Sequence, residues 1–319
     1  MHRTSLLAAI AASACFYAGS AQAGISRAWV SGHGSDVSGC GAPSNPCRSF
    51  QYVINSIINP GGEIDVLDPA GYGAMTIPFA LSIINDGVGT AGVQATSGAA
   101  ITISAGVNDL VRFRGLTIEG VNFGATTGIQ INSAFGVYVS DTTIFGFNTY
   151  GVNFTPTASA PNISRLYMKN CAIQYGGSSN GGHVNVTPNA KAFAEFENVS
   201  MVNSSGFGIN VDSSGGFEVH TSISDSDIHD VGGYGVRATN TSGTGVSLVI
   251  IRRSHIHETG TAAISSNGQN SFVFLNSNDV ELNNVGLTTS NGGTINSVGN
   301  NFVSGNTTNG APTATTAPE

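Results

Sequence analysis

Short stretches of the chain alternate apolar and polar residues with a period of two, the signature of strands with one buried face. One such phrase recurs: Val111-Arg112-Phe113-Arg114-Gly115-Leu116-Thr117-Ile118, then Val137 to Ile144, Leu166 to Ile173, Ala194 to Met201, Thr221 to Ile228, Val249 to Ile256, Val273 to Val280 and Ile295 to Phe302. The eight copies align without a gap inside the phrase, and their last residues are separated by 26, 29, 28, 27, 28, 24 and 22 positions. A near-constant period with variable connections predicts a solenoid. A shorter phrase, Gly-apolar-polar-apolar, falls between copies at Gly128, Gly151, Gly182, Gly208 and Gly235.

The first, third, sixth and eighth places of the long phrase are the predicted core. The third reads Phe113, Val139, Met168, Phe196, Ile223, Ile251, Leu275, and the eighth Ile118, Ile144, Ile173, Met201, Ile228, Ile256, Val280, Phe302. The fifth reads Gly115, Asp141, Asn170, Asn198, Asp225, Arg253, Ser277, Gly299. Gly, Asn and Asp tolerate the left-handed backbone, so this place predicts a tight bend whose stacked side chains share hydrogen bonds between coils. Each coil therefore runs strand, bend, strand, loop, strand, and like stacks on like at about 4.8 Å. The expected fold is all-β, a parallel β-helix.

Composition agrees with this. Forty-three glycines and only 9% charged residues in 319 disfavour a helical bundle, while 40% hydrophobic residues suffice for a core. A net charge of −8 argues against a nucleic-acid partner, which needs clustered Lys and Arg. Residues 1–23 read as an export signal: a basic start at His2 and Arg3, an apolar run from Leu6 to Ala14, and the small-x-small site Ala21-Gln22-Ala23. A secreted or periplasmic protein follows, without an integral membrane segment. Residues 24–306 read as one β-helix domain, of which 24–62 form the N-terminal cap, and 307–319 as a flexible tail. Cys40 and Cys47 bracket a turn-rich loop that a disulfide would close in an oxidising compartment. Cys171 falls in the inward sixth column and reads as a buried, inert thiol.

Ala28-Trp29-Val30-Ser31, the Cys40–Cys47 loop, the segment Arg48 to Ile57, Gly61 to Pro69, and Leu81 to Ile84 followed by Asp86-Gly87 resemble the opening of secreted bacterial right-handed parallel β-helix repeat proteins of the pectate-lyase-like superfamily. The resemblance spans residues 28 to about 306. It implies a right-handed solenoid with a short N-terminal capping helix, in which Phe50, Val53, Ile54 and Ile57 share one face and plug the open end. It implies no single activity, since the superfamily holds lyases, hydrolases and epimerases of polysaccharides beside members of no assigned chemistry. Gly32-His33-Gly34 lies before the coils rather than in them and reads as a turn. No Arg-x-Lys or Asp-Pro-His occurs.

Two surfaces are candidates for function. Flanking the buried eighth place, Asp227, His229, His255, His257, Asp279 and Glu281 form six consecutive ionisable positions over three coils. They predict one patch about 7 by 10 Å. It offers carboxylate–imidazole pairs for acid–base catalysis, or a metal site of His229, His255, His257 and Glu281; a merely solvated face is the plainer reading, and no metal is assigned. On the short phrase, Gln130, Asn153, Asn185, Asn210 and Arg237 form a polar column read as outward-facing, with Tyr150, Phe207 and Tyr234 just before the glycines. Amides and rings of this kind suit a glycan chain. The expected function is binding of polysaccharide or cell-surface glycan along a long face; the alternative is a carbohydrate-active lyase, hydrolase or epimerase using the Asp/His/Glu patch. No cofactor is expected, save calcium if the substrate is a polyuronate.

Overall fold

The computed structural model describes residues 24–157, 163–176 and 181–316. The export segment 1–23 lies outside them. The chain is a parallel β-solenoid whose coils present three faces. In one coil, Val246–Arg252 forms the first face, His255–His257 the second and Ala262–Asn267 the third. Every strand pairing in the two sheets is parallel and joins like positions of successive coils, as in Val249 with Val273 and Ile251 with Leu275. Among the described residues the third face carries nine strands. In two coils, Ser164–Gly176 and Ala192–Ser204, the first and second strands run as one through the bend.

The predicted bend is present in all eight copies. Gly115, Asp141, Asn170, Asn198, Asp225, Arg253, Ser277 and Gly299 all have φ between 47° and 82°. Their side chains link coils as expected: Asn198 Nδ2 donates to Asn170 Oδ1 at 2.9 Å, and Arg253 donates through Nε and Nη2 to Asp225 at 2.8 and 2.6 Å. A second left-handed column, not apparent from residue type, closes the second face: Gly146, Tyr175, Asn203, Asp230, Glu258 and Leu282, with φ from 48° to 78°.

The first, third and eighth columns fill the core, with Phe113, Phe196, Ile251 and Ile256 at most 2% exposed. The sixth column serves the backbone as well. Ser226 Oγ accepts from Val199 N–H, Ser254 Oγ from Ser226 N–H, and Asn278 Oδ1 from Ser254 N–H, so polar side chains inside the bend satisfy amides that the strands leave free. Cys171 is buried there, and burial pushes its thiol up to about 11.

Three features differ from the sequence reading. The eighth phrase carries one extra residue, so Phe302 pairs with Asp279 and is 53% exposed, while Val303 pairs with Val280 and packs on the core. A one-residue slip in a strand exchanges the two faces. Gly182 pairs with Tyr150 and Phe207, which places His183, not Gly182, in the glycine column between Gly151 and Gly208. Elsewhere that column is tight, as a Cβ on Gly208 would lie 2.6 Å from the Gly235 carbonyl oxygen. Finally, the described part of the tail is not free. Thr307 and Thr308 donate backbone hydrogen bonds to Asn283 and Asn284, and Ala314–Thr315 pairs with Asn296 and Ser297. The tail covers the strand edge that the last coil would leave open.

At the other end the helix Phe50–Ser56 starts at Ser49, whose hydroxyl accepts from Tyr52 N–H. Phe50, Val53, Ile54 and Ile57 are buried, as the resemblance implies. The Cys40–Cys47 disulfide is formed. Asp68 organises the junction, accepting from Ser31 Oγ, Gly32 N–H and Tyr72 Oη, with His33 Nδ1 at 3.2 Å. Partial burial pushes its pKa up, but these hydrogen bonds outweigh it and hold the carboxyl well below the usual range.

Candidate functional site

The second face brings most of the ionisable patch together. Asp227, His255 and Asp279 are register partners on three successive coils, and His257 pairs with Glu281. Asp227 lies at the centre. Its Oδ1 is 3.3 Å from His257 Nε2 and 3.7 Å from His255 Nδ1, and its Oδ2 is 3.8 Å from His229 Nε2. His255 Nε2 in turn lies 3.3 Å from Glu281 Oε1. The rings of His229 and His255 each stack on that of His257, with centroids 4.8 and 4.0 Å apart. Asp279 stands at the edge, exposed, and forms no ion pair among the described residues.

The polar atoms of this cluster are close without being saturated. Asp227 Oδ1 and His255 Nε2 are shielded from solvent yet have no hydrogen bond of normal geometry, although both sit at ion-pair distance from their neighbours. Burial, and then the adjacent His255 imidazole, push His257 below the ordinary histidine range against the pull of Asp227. A neutral imidazole beside carboxylates can take or give a proton near neutral pH.

The short-phrase surface divides into two parts. Asn153, Asn185 and Asn210 do not form an open column. Asn153 donates to Gln130, Asn185 to Asn153, and Asn210 to Asn185, at 2.8 to 2.9 Å, with Arg237 Nε donating to Asn210 Oδ1. Asn185 and Asn210 are 6% and 4% exposed, so their amides are spent on joining coils. Phe207, Tyr234 and Arg237 instead line a cavity of about 350 Å³ beside Gly233 and Thr261. The Arg237 guanidinium lies over the rings of Phe207 and Tyr234, 5.7 and 5.4 Å from their centroids. Tyr150 lies 6.3 Å from Phe207, with the rings tilted.

The first face carries a surface that the sequence reading passed over. Tyr138 and Tyr167 stack at 4.6 Å, and Phe193 follows at 5.9 Å. Both tyrosines line a cavity of about 330 Å³ with Arg112, Lys169, Glu195 and Glu197. Lys169 and Glu197 are paired at 2.8 Å. Three coils further on, a cavity of about 390 Å³ is lined by Ile250, Arg252, Phe274, Asn276 and Asn296. Phe274 is 42% exposed, and Arg252 has no ion-pair partner among the described residues. The signal was present in the second place of the long phrase, which reads Arg112, Tyr138, Tyr167, Glu195, Ser222, Ile250, Phe274. The cavities of about 390 and 330 Å³ lie on this face and that of about 350 Å³ lies beside Tyr234; none of the three is lined by the histidines. Arg252 and His255 nevertheless share one coil, separated by the bend at Arg253.

Among solved structures, the fold is similar to the enzymatically active domain of tailspike protein 2 of bacteriophage CBA120. The match has a TM-score of 0.52 at 12% identity and covers 81% of this chain. This chain spans 40% of that one. The likeness is one of architecture, a parallel β-solenoid. No family model and no curated protein matches the sequence. Among the described residues, no helix is long and apolar enough to cross a membrane.

Proposed function

We propose that this protein is an exported carbohydrate-active enzyme whose acid–base chemistry rests on His255, Asp227 and Glu281. The observation that carries the reading is the placement of the His255 imidazole between two carboxylates, Nδ1 facing Asp227 at 3.7 Å and Nε2 facing Glu281 at 3.3 Å. A histidine held in this way can pass a proton between substrate and carboxylate, as cleavage or epimerisation of a glycan requires. Its parallel β-solenoid is similar to part of an enzymatically active tailspike domain, which favours catalysis over binding alone by analogy of architecture. The stacked Tyr138 and Tyr167 and the exposed Phe274 suit sugar rings, and the free Arg252 guanidinium suits a substrate carboxylate on the same coil as His255. The closed Cys40–Cys47 disulfide suits an oxidising compartment outside the cytoplasm.

The second reading, a glycan-binding protein without catalysis, draws on the same aromatic face. A panel of acidic and neutral polysaccharides, incubated with and without calcium, separates the two. Shortened or unsaturated products from the wild type and none from His255→Ala or Glu281→Gln support the enzyme. Binding without products, lost in Tyr167→Ala and kept in His255→Ala, would replace it with the binding protein.

A further inference from the structure

We infer that Asp227, His229 and His257 form a binding site for a first-row divalent cation of the zinc type. One donor atom from each lies within 4.8 Å of the other two. The Asp227 oxygens are 3.3 Å from His257 Nε2 and 3.8 Å from His229 Nε2. Donors about 2.0–2.1 Å from a tetrahedral zinc stand roughly 3.3 Å from one another. The carboxylate-to-imidazole spacings are therefore already near those of a filled site, and a small rotation of the stacked imidazoles brings their nitrogens together.

The surroundings of the His229 ring support this reading independently. His229 Nδ1 faces Asp230 Oδ2 at 3.3 Å, and His257 Nδ1 faces Glu258 Oε2 at 3.7 Å. Glu258 stands beyond hydrogen-bond distance of His257 Nδ1, while at His229 the Asp230 carboxylate is within hydrogen-bond distance of the Nδ1 proton and leaves Nε2, the nitrogen on the Asp227 side, as the free donor. This is the carboxylate–histidine arrangement that orients metal-bound imidazoles. It arises from the second left-handed column. Asp230 and Glu258 have φ of 53° and 54°, and each directly follows its histidine at the corner of the coil. The buried, unpartnered Oδ1 of Asp227 is the third donor. Two imidazoles and one carboxylate suit zinc, cobalt or nickel rather than calcium, which takes oxygen ligands.

This inference does not depend on the protein being an enzyme. Titration calorimetry of the full chain with Zn²⁺, and visible absorption with Co²⁺, read it without any substrate. One Zn²⁺ per chain, cobalt bands of low coordination number and no response to Ca²⁺ are expected. His229→Gln and Asp227→Asn should each weaken binding by more than the roughly 10- to 100-fold that loss of an outer carboxylate gives, and Asp230→Asn by about that lesser amount. His220→Gln, on the first face beside Glu218, should leave it unchanged. Absence of Zn²⁺ binding by the folded wild type, or binding that survives both His229→Gln and His257→Gln, would overturn the site. A loss in Asp230→Asn as complete as in Asp227→Asn would also overturn it, by making Asp230 a ligand.

Discussion

Arg237 donates through Nε to Oδ1 of Asn210 at 2.8 Å, and this bond ends an amide ladder that descends through Asn185 and Asn153 to Gln130. Each rung satisfies a donor and an acceptor in a nearly dry position, so the ladder ties coils together on the third face. Asn185→Ala would leave Asn210 Nδ2 and Asn153 Oδ1 unpaired at once. A loss of about 1–3 kcal/mol in unfolding free energy is expected from denaturant titration, with glycan binding unchanged. Loss of binding without loss of stability would return the asparagines to the ligand-binding surface.

His183 is fully buried in a column that the two neighbouring coils fill with Gly151 and Gly208, and its ring makes no hydrogen bond of normal geometry. Burial lowers its pKa to about 4. The unfolded chain takes up this proton near pH 6.5 and the folded chain only near 4, so stability falls as pH falls between them. The full difference is roughly 3 kcal/mol. Whatever His183→Gly costs at neutral pH, it should remove this part of the slope. Parallel curves for wild type and variant from pH 7 to 4 would show that the ring is hydrated or paired.

Asp68 behaves in the opposite chemical sense but with the same sign. Its carboxyl is held ionised by Ser31, Gly32, His33 and Tyr72, so its contribution is complete above the unfolded value near 3.9 and is lost as pH falls below it. Asp68→Asn should cost about 1–3 kcal/mol at pH 7, and the gap to wild type should narrow in acid below about pH 4. Urea melts at a series of pH values measure both. A gap that stays constant down to pH 2 would contradict the account.

The Cys40–Cys47 bridge closes a short loop directly ahead of the capping helix. Loop-closure entropy for so short a ring gives roughly 2–3 kcal/mol. Cys40→Ser with Cys47→Ser should lower the unfolding midpoint accordingly, and reductant should lower the wild type but not the double variant. An unchanged midpoint in reduced wild type would mean that the cap holds without it.

Much of the architecture was legible because a solenoid writes itself repeatedly. Gly115, Asp141, Asn170, Asn198 and Asp225 occupy one place of one phrase, and residues tolerant of a left-handed backbone in that place can only mean a bend. The second bend was hidden, since Tyr175, Glu258 and Leu282 adopt the same backbone without the residue type that announces it. Phe302 and His183 were misplaced by a single position, because period two gives no warning when a bend or loop gains one residue.

The candidate site shows the same division. Alternation and spacing sufficed to place Asp227, His229, His255 and His257 on neighbouring outward positions of stacked coils, because in-register parallel pairing carries sequence position directly into space. They could not say that Asn185 and Asn210, equally outward by count, turn onto one another and leave solvent, nor that Asp230 reaches back to Nδ1 of its preceding histidine. Those outcomes depend on side-chain rotamers and on the corner geometry of each coil, which arise only when neighbouring coils press together. The alternation of residues fixed which positions share a face; contacts between coils decided which of those positions remain free to act.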